Sequence, residues 1–322
     1  MSDDATKGPT AAQLAAAGLV KVTTYEEIME AESNGWPART YNASNETFPP
    51  IATAYVSVNW KEKNGPAPTP TPVPASAYPS GITPPAVASG FTRALFDDFT
   101  ESSLSSAWNQ YNGINSQGAI WLESHLSLTN SVLSLNAYQD PSGIAAAIKA
   151  GADFTQAQAT KQLNWAEAGL QTATRWPVGT TFSVAMRADS YDGLTDILLT
   201  MGNNWPPEID FQEGGNMFVH WGQGNSQKYL GYINVDRTQW HLYQLQWTTA
   251  TIVVSCDGAT VATFPNPDNG NADPYGLLSN MFLSMQWQTG DGGTIGNDPT
   301  VTAQNSKQMQ IDWVAIDTPE II

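Results

Sequence analysis

From Phe91 onward, apolar and polar positions alternate in short runs. The clearest are 131–136, 181–187, 195–200, 240–247 and 281–287, joined by the apolar run 251–256. A period of two over four to eight residues places alternate side chains on opposite faces of a strand, so these runs predict β-strands. Gly, Asn, Asp and Pro punctuate the gaps between them, as turns require. No helical period is sustained, 144–150 reads only as a helical turn, and no fixed-period repeat is present. Many short strands without helices imply an all-β sandwich or jelly roll.

The first 90 residues read differently. Residues 11–19 form an Ala/Leu helix candidate broken at Gly18. Thr24-Tyr-Glu-Glu27 fits a capping box for a second helix that stops near Asn34-Gly35. Residues 54–60 alternate like a strand. A segment of 1–63 is too small to bury a full core and reads as a docking or oligomerisation element. Across 64–90, Pro66, Pro68, Pro70, Pro72 and Pro74 alternate with small residues, and no charge occurs. Alternating prolines enforce an extended, semi-rigid spacer. The expected organisation is therefore 1–63 docking segment, 64–90 linker and 91–322 β-sandwich.

Composition narrows the function. Charged residues are only 13% of the chain, whereas Trp and Tyr number 12 and 11. Aromatic rings stack on the C–H faces of sugars while amides and hydroxyls bond their hydroxyl groups; β-rich proteins favour the same residues for packing. The net charge of −17 opposes nucleic acid and anionic membrane surfaces and favours neutral over polyanionic glycans. Cys256, the single cysteine, excludes an internal disulfide; its apolar run reads as a buried structural thiol. No run is long enough to span a membrane. The N-terminus lacks the basic start and apolar core of a secretory signal, so action outside the cell is expected without one.

The chemistry concentrates in Trp205-Pro-Pro-Glu-Ile-Asp-Phe-Gln-Glu213. On a strand Glu208 and Asp210 share a face, and Glu213 falls on the other unless a β-bulge near Phe211-Gln212 turns it back. Three carboxyls on one face are costly without a cation, but a retaining glycosidase needs two, about 5–5.5 Å apart. A third between them helps to separate their proton affinities. An exposed acidic edge strand that resists pairing is the structural alternative.

This motif resembles the Glu-x-Asp-x-x-Glu strand of glycoside hydrolase family 16 in its bulged, laminarinase-like form. Leu95-Phe-Asp-Asp-Phe99 with Trp108, Ala168-Gly-Leu-Gln-Thr172 with Trp176, residues 179–184, 240–247 with Asp257-Gly258, and 309–316 resemble other family segments, in order. The resemblance spans 91–322 and implies a concanavalin-like jelly roll. It implies Glu208 as nucleophile, Asp210 as its electrostatic assistant and Glu213 as general acid/base. His220 falls where the family often keeps a histidine, able to bond Asp210 or a sugar hydroxyl. Trp205, Trp221 and Trp287 are the candidates for sugar stacking, and Trp60 and Trp313 for the core. Asp312 and Asp98 match positions that hold a structural calcium; no other cofactor is expected. Two departures flank the cleft: Pro207 stands where the family usually has Gly, and Gln286-Trp-Gln-Thr-Gly-Asp-Gly-Gly293 replaces an Asn-rich stretch.

The expected activity is retaining endo-hydrolysis of a neutral β-linked polysaccharide, with a non-catalytic, lectin-like module on the same scaffold as the alternative. Docking segment, spacer and terminal glycan-acting domain together resemble a phage tail or receptor-binding protein, in which 1–63 would grip a virion or other structural protein.

Overall fold

The computed structural model describes residues 19–22, 54–57, 78–114, 120–152, 164–221, 226–268, 277–289 and 300–320. The chain divides into two units, residues 1–73 with 320–322, and residues 74–319. In the first, β1 (Leu19–Val22) pairs antiparallel with β2 (Ala54–Ser57). The strand expected at 54–60 is present in part, and Leu19, read as the end of a helix, begins a strand. Both N-terminal helix expectations, and Trp60, otherwise lie outside the described residues.

The second unit is a two-layer β-sandwich. Its first sheet comprises β4 (Trp108–Gln110), β9 (Trp165–Thr172), β18 (Phe282–Thr289), β11 (Leu194–Met201), β12 (Glu208–Glu213), β13 (Asn216–Trp221) and β14 (Ser226–Tyr232), in that spatial order and antiparallel throughout. The second is built around β19 (Lys307–Pro319). One edge of β19 pairs with β10 (Thr181–Ala188), followed by β15 (His241–Trp247), β16 (Thr251–Cys256) and β17 (Ala259–Pro265). The other edge pairs with β3 (Phe91–Asp97) and with β8 (Val132–Gln139), which carries β7 (Leu126–Thr129). Short β5 (Gly113–Ile114) and β6 (Ile120–Trp121) join the rim of β9, β6 through the parallel pair.

Alternation in sequence becomes alternation in burial. In β16 the apolar positions Ile252, Val254 and Cys256 are buried and the intervening ones partly exposed; Cys256 is the buried thiol expected, its proton held tightly by burial. Hairpins form where two residues accept positive φ: Asp257 (φ 51°) and Gly258 (φ 79°) close β16–β17, because such turns follow the twist of the strands they join. The helical turn is a nine-residue α1 (Pro141–Lys149), capped by Asp140, which accepts from the Gly143 N–H at 2.8 Å.

The spacer is shorter than its composition suggests. From Tyr78 the chain is laid on the sandwich: Tyr78 and Ile82 pack against Ala185, Trp313 and Ala315, and Trp313 Nε1 donates to the Ile82 carbonyl at 2.9 Å. Arg93 ties the Pro85 carbonyl to Asp317. Two apolar side chains that can reach an exposed core edge outweigh the tendency of the prolines to stay extended in water. Residues 64–77 lie outside the described set.

Candidate active site

The acidic residues share a face because β12 carries one residue too many. Against β11, Met201 pairs with Glu208, Leu199 with Asp210 and Ile197 with Glu213, with the register slipping between Leu198 and Leu199. Against β13, the partners are His220, Phe218 and Asn216. Alternate residues on both flanking strands point one way, so Glu208, Asp210 and Glu213 do too. Phe211 is the inserted residue, and the bulge falls at the expected Phe211-Gln212. Ile209 (0% exposed) faces inward, toward the second layer, and the three carboxyls face outward.

The bulge turns Gln212 into the core, where its amide must be bonded. Gln212 Nε2 donates to Asp196 Oδ2, and its Oε1 accepts from the Gly215 N–H at 3.1 Å. Asp196, wholly buried on β11, is neutralised by the Arg237 guanidinium, and its carbonyl accepts from the Gly214 N–H at 2.9 Å. Gly214 (φ 59°) and Gly215 (φ 95°) form the two-residue turn into β13. One ionic chain thus fixes both the bulge and the hairpin at which Glu213 sits. The sequence reading missed it. Its signal was an acidic residue inside the apolar run 195–200, which a core admits only with a partner.

Glu208, Asp210 and His220 offer oxygen and nitrogen atoms all within 4.8 Å of one another. His220 Nε2 lies 3.3 Å from Asp210 Oδ2 and 4.0 Å from Glu208 Oε1. Trp205, on the loop entering β12, donates from Nε1 to Glu208 Oε1 at 3.1 Å, and its ring centroid is 5.7 Å from that of His220. Burial, then the Asp210 charge, hold the Glu208 carboxyl well above the usual carboxylate range, against the pull of Trp205 and His220. Asp210 is raised as well, by burial and by Glu213, and His220 opposes the shift. The pair retains a proton at pH values where free carboxylates have lost theirs. An acidic strand built only to resist edge pairing would need none of this: β12 is an interior strand, paired on both sides.

The family model for glycosyl hydrolases family 16 matches residues 114–315, more than half of the 322. The chain belongs to that family. It is a glycoside hydrolase with the concanavalin-like sandwich, hydrolysing O-glycosidic bonds and binding saccharide. Solved structures share the fold at low identity. A Bacteroides ovatus family 16 protein from a mixed-linkage glucan locus, in complex with a product, is 18% identical (TM-score 0.53), covering 69% of this chain and 99% of its own. An endo-β-1,3-glucanase from Pyrococcus furiosus is 16% identical (TM-score 0.53; 71% and 94%). A non-specific endo-β-1,3(4)-glucanase is 18% identical (TM-score 0.57; 73% and 94%). No curated protein matches the sequence.

Register places the rest of the hydrolase's outer face. Ser284 and Gln286 of β18 pair with Leu199 and Ile197, Gln171 of β9 with Ser284, and Asn109 of β4 with Gln171. Tyr111 lies across Gly169, where a Cβ would come within 2.5 Å of its ring. Its hydroxyl is 2.7 Å from Ser284 Oγ and 3.0 Å from Gln171 Oε1. Burial pushes the Tyr111 phenol up to about 12, and the Glu208 charge adds to the shift. Amides and hydroxyls therefore continue the face beyond the carboxyls.

Two stacking candidates are not on this face. Trp287 pairs with Asp196, is 1% exposed and donates from Nε1 to the Lys307 carbonyl; it is a core residue between the sheets. Trp221 follows His220 on β13 and so points inward, its ring 5.7 Å from Phe264 of the second sheet. Trp313 is buried as expected. The calcium positions lie elsewhere. Asp312 Oδ2 accepts from the Ser80 N–H at 2.7 Å, and Asp312 Oδ1 is buried without a partner. Burial raises the Asp312 carboxyl above the usual range and the charge of nearby Asp98 adds to the shift; Asp98 itself accepts from the Thr100 hydroxyl. A buried carboxylate oxygen left unbonded fits a hard cation's donor set, though two carboxylates supply only part of the six to eight oxygens calcium takes.

Proposed function

We propose that the chain is a retaining endo-β-glycan hydrolase acting on a neutral polysaccharide. The observation that carries the reading is the bulge that brings Glu208, Asp210 and Glu213 onto one outer face. The Glu208 carboxylate attacks the anomeric carbon while Glu213 gives its proton to the departing glycosidic oxygen, leaving a glycosyl ester on Glu208. Glu213 then takes a proton from water, whose oxygen displaces Glu208 from the same carbon. Asp210, bonded to His220 and beside Glu208, carries the shared proton while Glu208 is the nucleophile and returns it as the ester breaks down. Trp205 borders the nucleophile as the remaining stacking candidate.

The neutral amides of Asn109, Gln171 and Gln286 support an uncharged substrate, and the glucanase relatives make a β-1,3- or β-1,4-linked glucan the first to test, ahead of a β-galactan. NMR of the first product should show the β-anomer, with hydrolysis lost in Glu208→Gln. An inverted product would refute the assigned roles; binding without hydrolysis on every glycan would favour the lectin-like alternative. A structural calcium at Asp312 and Asp98 is part of the same proposal: calcium should raise the melting temperature of the wild type, and leave Asp312→Asn unchanged. The order of docking segment, spacer and hydrolase supports attachment to a larger extracellular assembly through 1–63. Failure of full-length protein to bind any structural partner through that segment would dismiss it.

A further inference from the structure

A second irregular strand, β14, lies one strand beyond the acidic one, on the far side of β13. In β14, Tyr229 pairs with Phe218, Gly231 with Met217 and Tyr232 with Asn216, the register shifting at Leu230. Residues three apart on a regular strand face opposite ways; the extra residue turns both tyrosines the same way. Phe218 and Asn216 are in turn the partners of Asp210 and Glu213, so Tyr229 and Tyr232 share the carboxyl face. They stand two strands from the acidic residues, about 10 Å at the usual strand spacing.

Both rings are held, and both are open to solvent. The Tyr232 ring lies on Gly215, where a Cβ would be 2.5 Å from a ring carbon. The Tyr229 ring packs on Phe218, centroids 5.4 Å apart. Yet Tyr229 is 50% and Tyr232 52% exposed, and neither hydroxyl has a hydrogen-bond partner among the described residues. With Trp205, at 48%, they are the exposed large aromatics of the described chain, and all three border β13. Aromatic rings packed on one side and wet on the other, with free hydroxyls, suit the alternating C–H faces and hydroxyl groups of an equatorially substituted pyranose.

We propose that Tyr229 and Tyr232 form a stacking platform for a sugar unit of the bound polysaccharide lying beyond those at the reaction centre. The proposal rests on the outer face being the polysaccharide site. It makes affinity depend on chain length and on equatorial, gluco-like substitution. Full-length Tyr229→Ala/Tyr232→Ala should lose about tenfold or more in kcat/KM on soluble mixed-linkage β-glucan, chiefly through KM, as truncation of an aromatic anchor does. Tyr→Phe at both positions should retain most of it. Retardation in β-glucan gels, in a Glu208→Gln background, should fall in parallel, which reads the platform without catalysis. If the wild type cleaves no glycan but the alanine pair abolishes retardation, the hydrolase roles fail and the platform stands. Unchanged retardation and kcat/KM in a folded alanine pair would overturn it. Should that variant not fold, hydroxyl-radical footprinting of Glu208→Gln alone decides: glycan should shield Tyr229 and Tyr232, and no shielding overturns the proposal.

Discussion

Replacing Glu208 by Gln should stabilise the protein, and by an amount that grows with pH. The Glu208 carboxyl is raised from 4.5 up to about 8, so the folded chain holds a proton there that the unfolded chain releases. The folded state binds the proton more tightly, so the wild type is most stable below 4.5 and loses stability as pH climbs toward 8. Each pH unit in that window is worth about 1.4 kcal/mol, which sets a ceiling of about 4–5 kcal/mol for an isolated group. Asp210 competes for the same proton, so roughly half, about 2–3 kcal/mol, should be assignable to Glu208. Gln is the shape of the protonated acid, and its oxygen can keep the Trp205 indole bond. Little change is therefore expected at pH 4.5, and a melting temperature higher by about 5–10 °C at pH 8.5. Thermal unfolding of both proteins across pH 4.5–8.5 makes the comparison. A pH-independent difference, or destabilisation at pH 8.5, would refute the claim that this carboxyl is ionised at a cost.

Other perturbations separate the parts of the site. Arg237→Ala strands the buried Asp196 charge, leaving it only the Gln212 amide as a side-chain partner, and should cost about 2–4 kcal/mol in denaturant unfolding, the partial exposure of Arg237 tempering the loss. Trp205→Phe removes the indole bond that lowers Glu208, so the acid limb of kcat/KM should move to higher pH. Trp287→Phe should lower stability by about 1–3 kcal/mol through lost packing while leaving KM within twofold of the wild type; a large KM change would return Trp287 to the binding face.

What could be read from the sequence was local. Glu208, Asp210 and Glu213 announce themselves by residue type, and the bulge follows because a period of two strands the third carboxyl otherwise. The same rule bore on Trp221: beside His220 on one strand, it could not share a face with it. Nearness to the acidic strand in sequence was a poorer guide than parity. Trp287 is a different case. Its inward direction depends on which residue of β11 it meets, a pairing some ninety residues apart along the chain that no local pattern encodes. Tyr111, just past the end of β4, meets Gln171 of β9 and Ser284 of β18 for the same reason. The Pro-rich segment shows the limit of composition, since its prolines say how stiff the chain is and not whether Tyr78 and Ile82 find a surface.

The apolar side of β12 explains why the polar side can exist. Three carboxyls crowded outward repel one another, and a strand free to slip by one residue would relieve them by sending Glu213 inward. Slipping back would also carry Gln212 off Asp196, leave that buried carboxylate with Arg237 alone as its side-chain partner, and strip the Gly215 N–H of its acceptor. The core-side network therefore fixes register for the face it never touches. Electrostatic strain at the outer carboxyls and ionic order beneath them are two consequences of a single inserted residue, Phe211, whose ring is fully buried and whose own packing resists its expulsion.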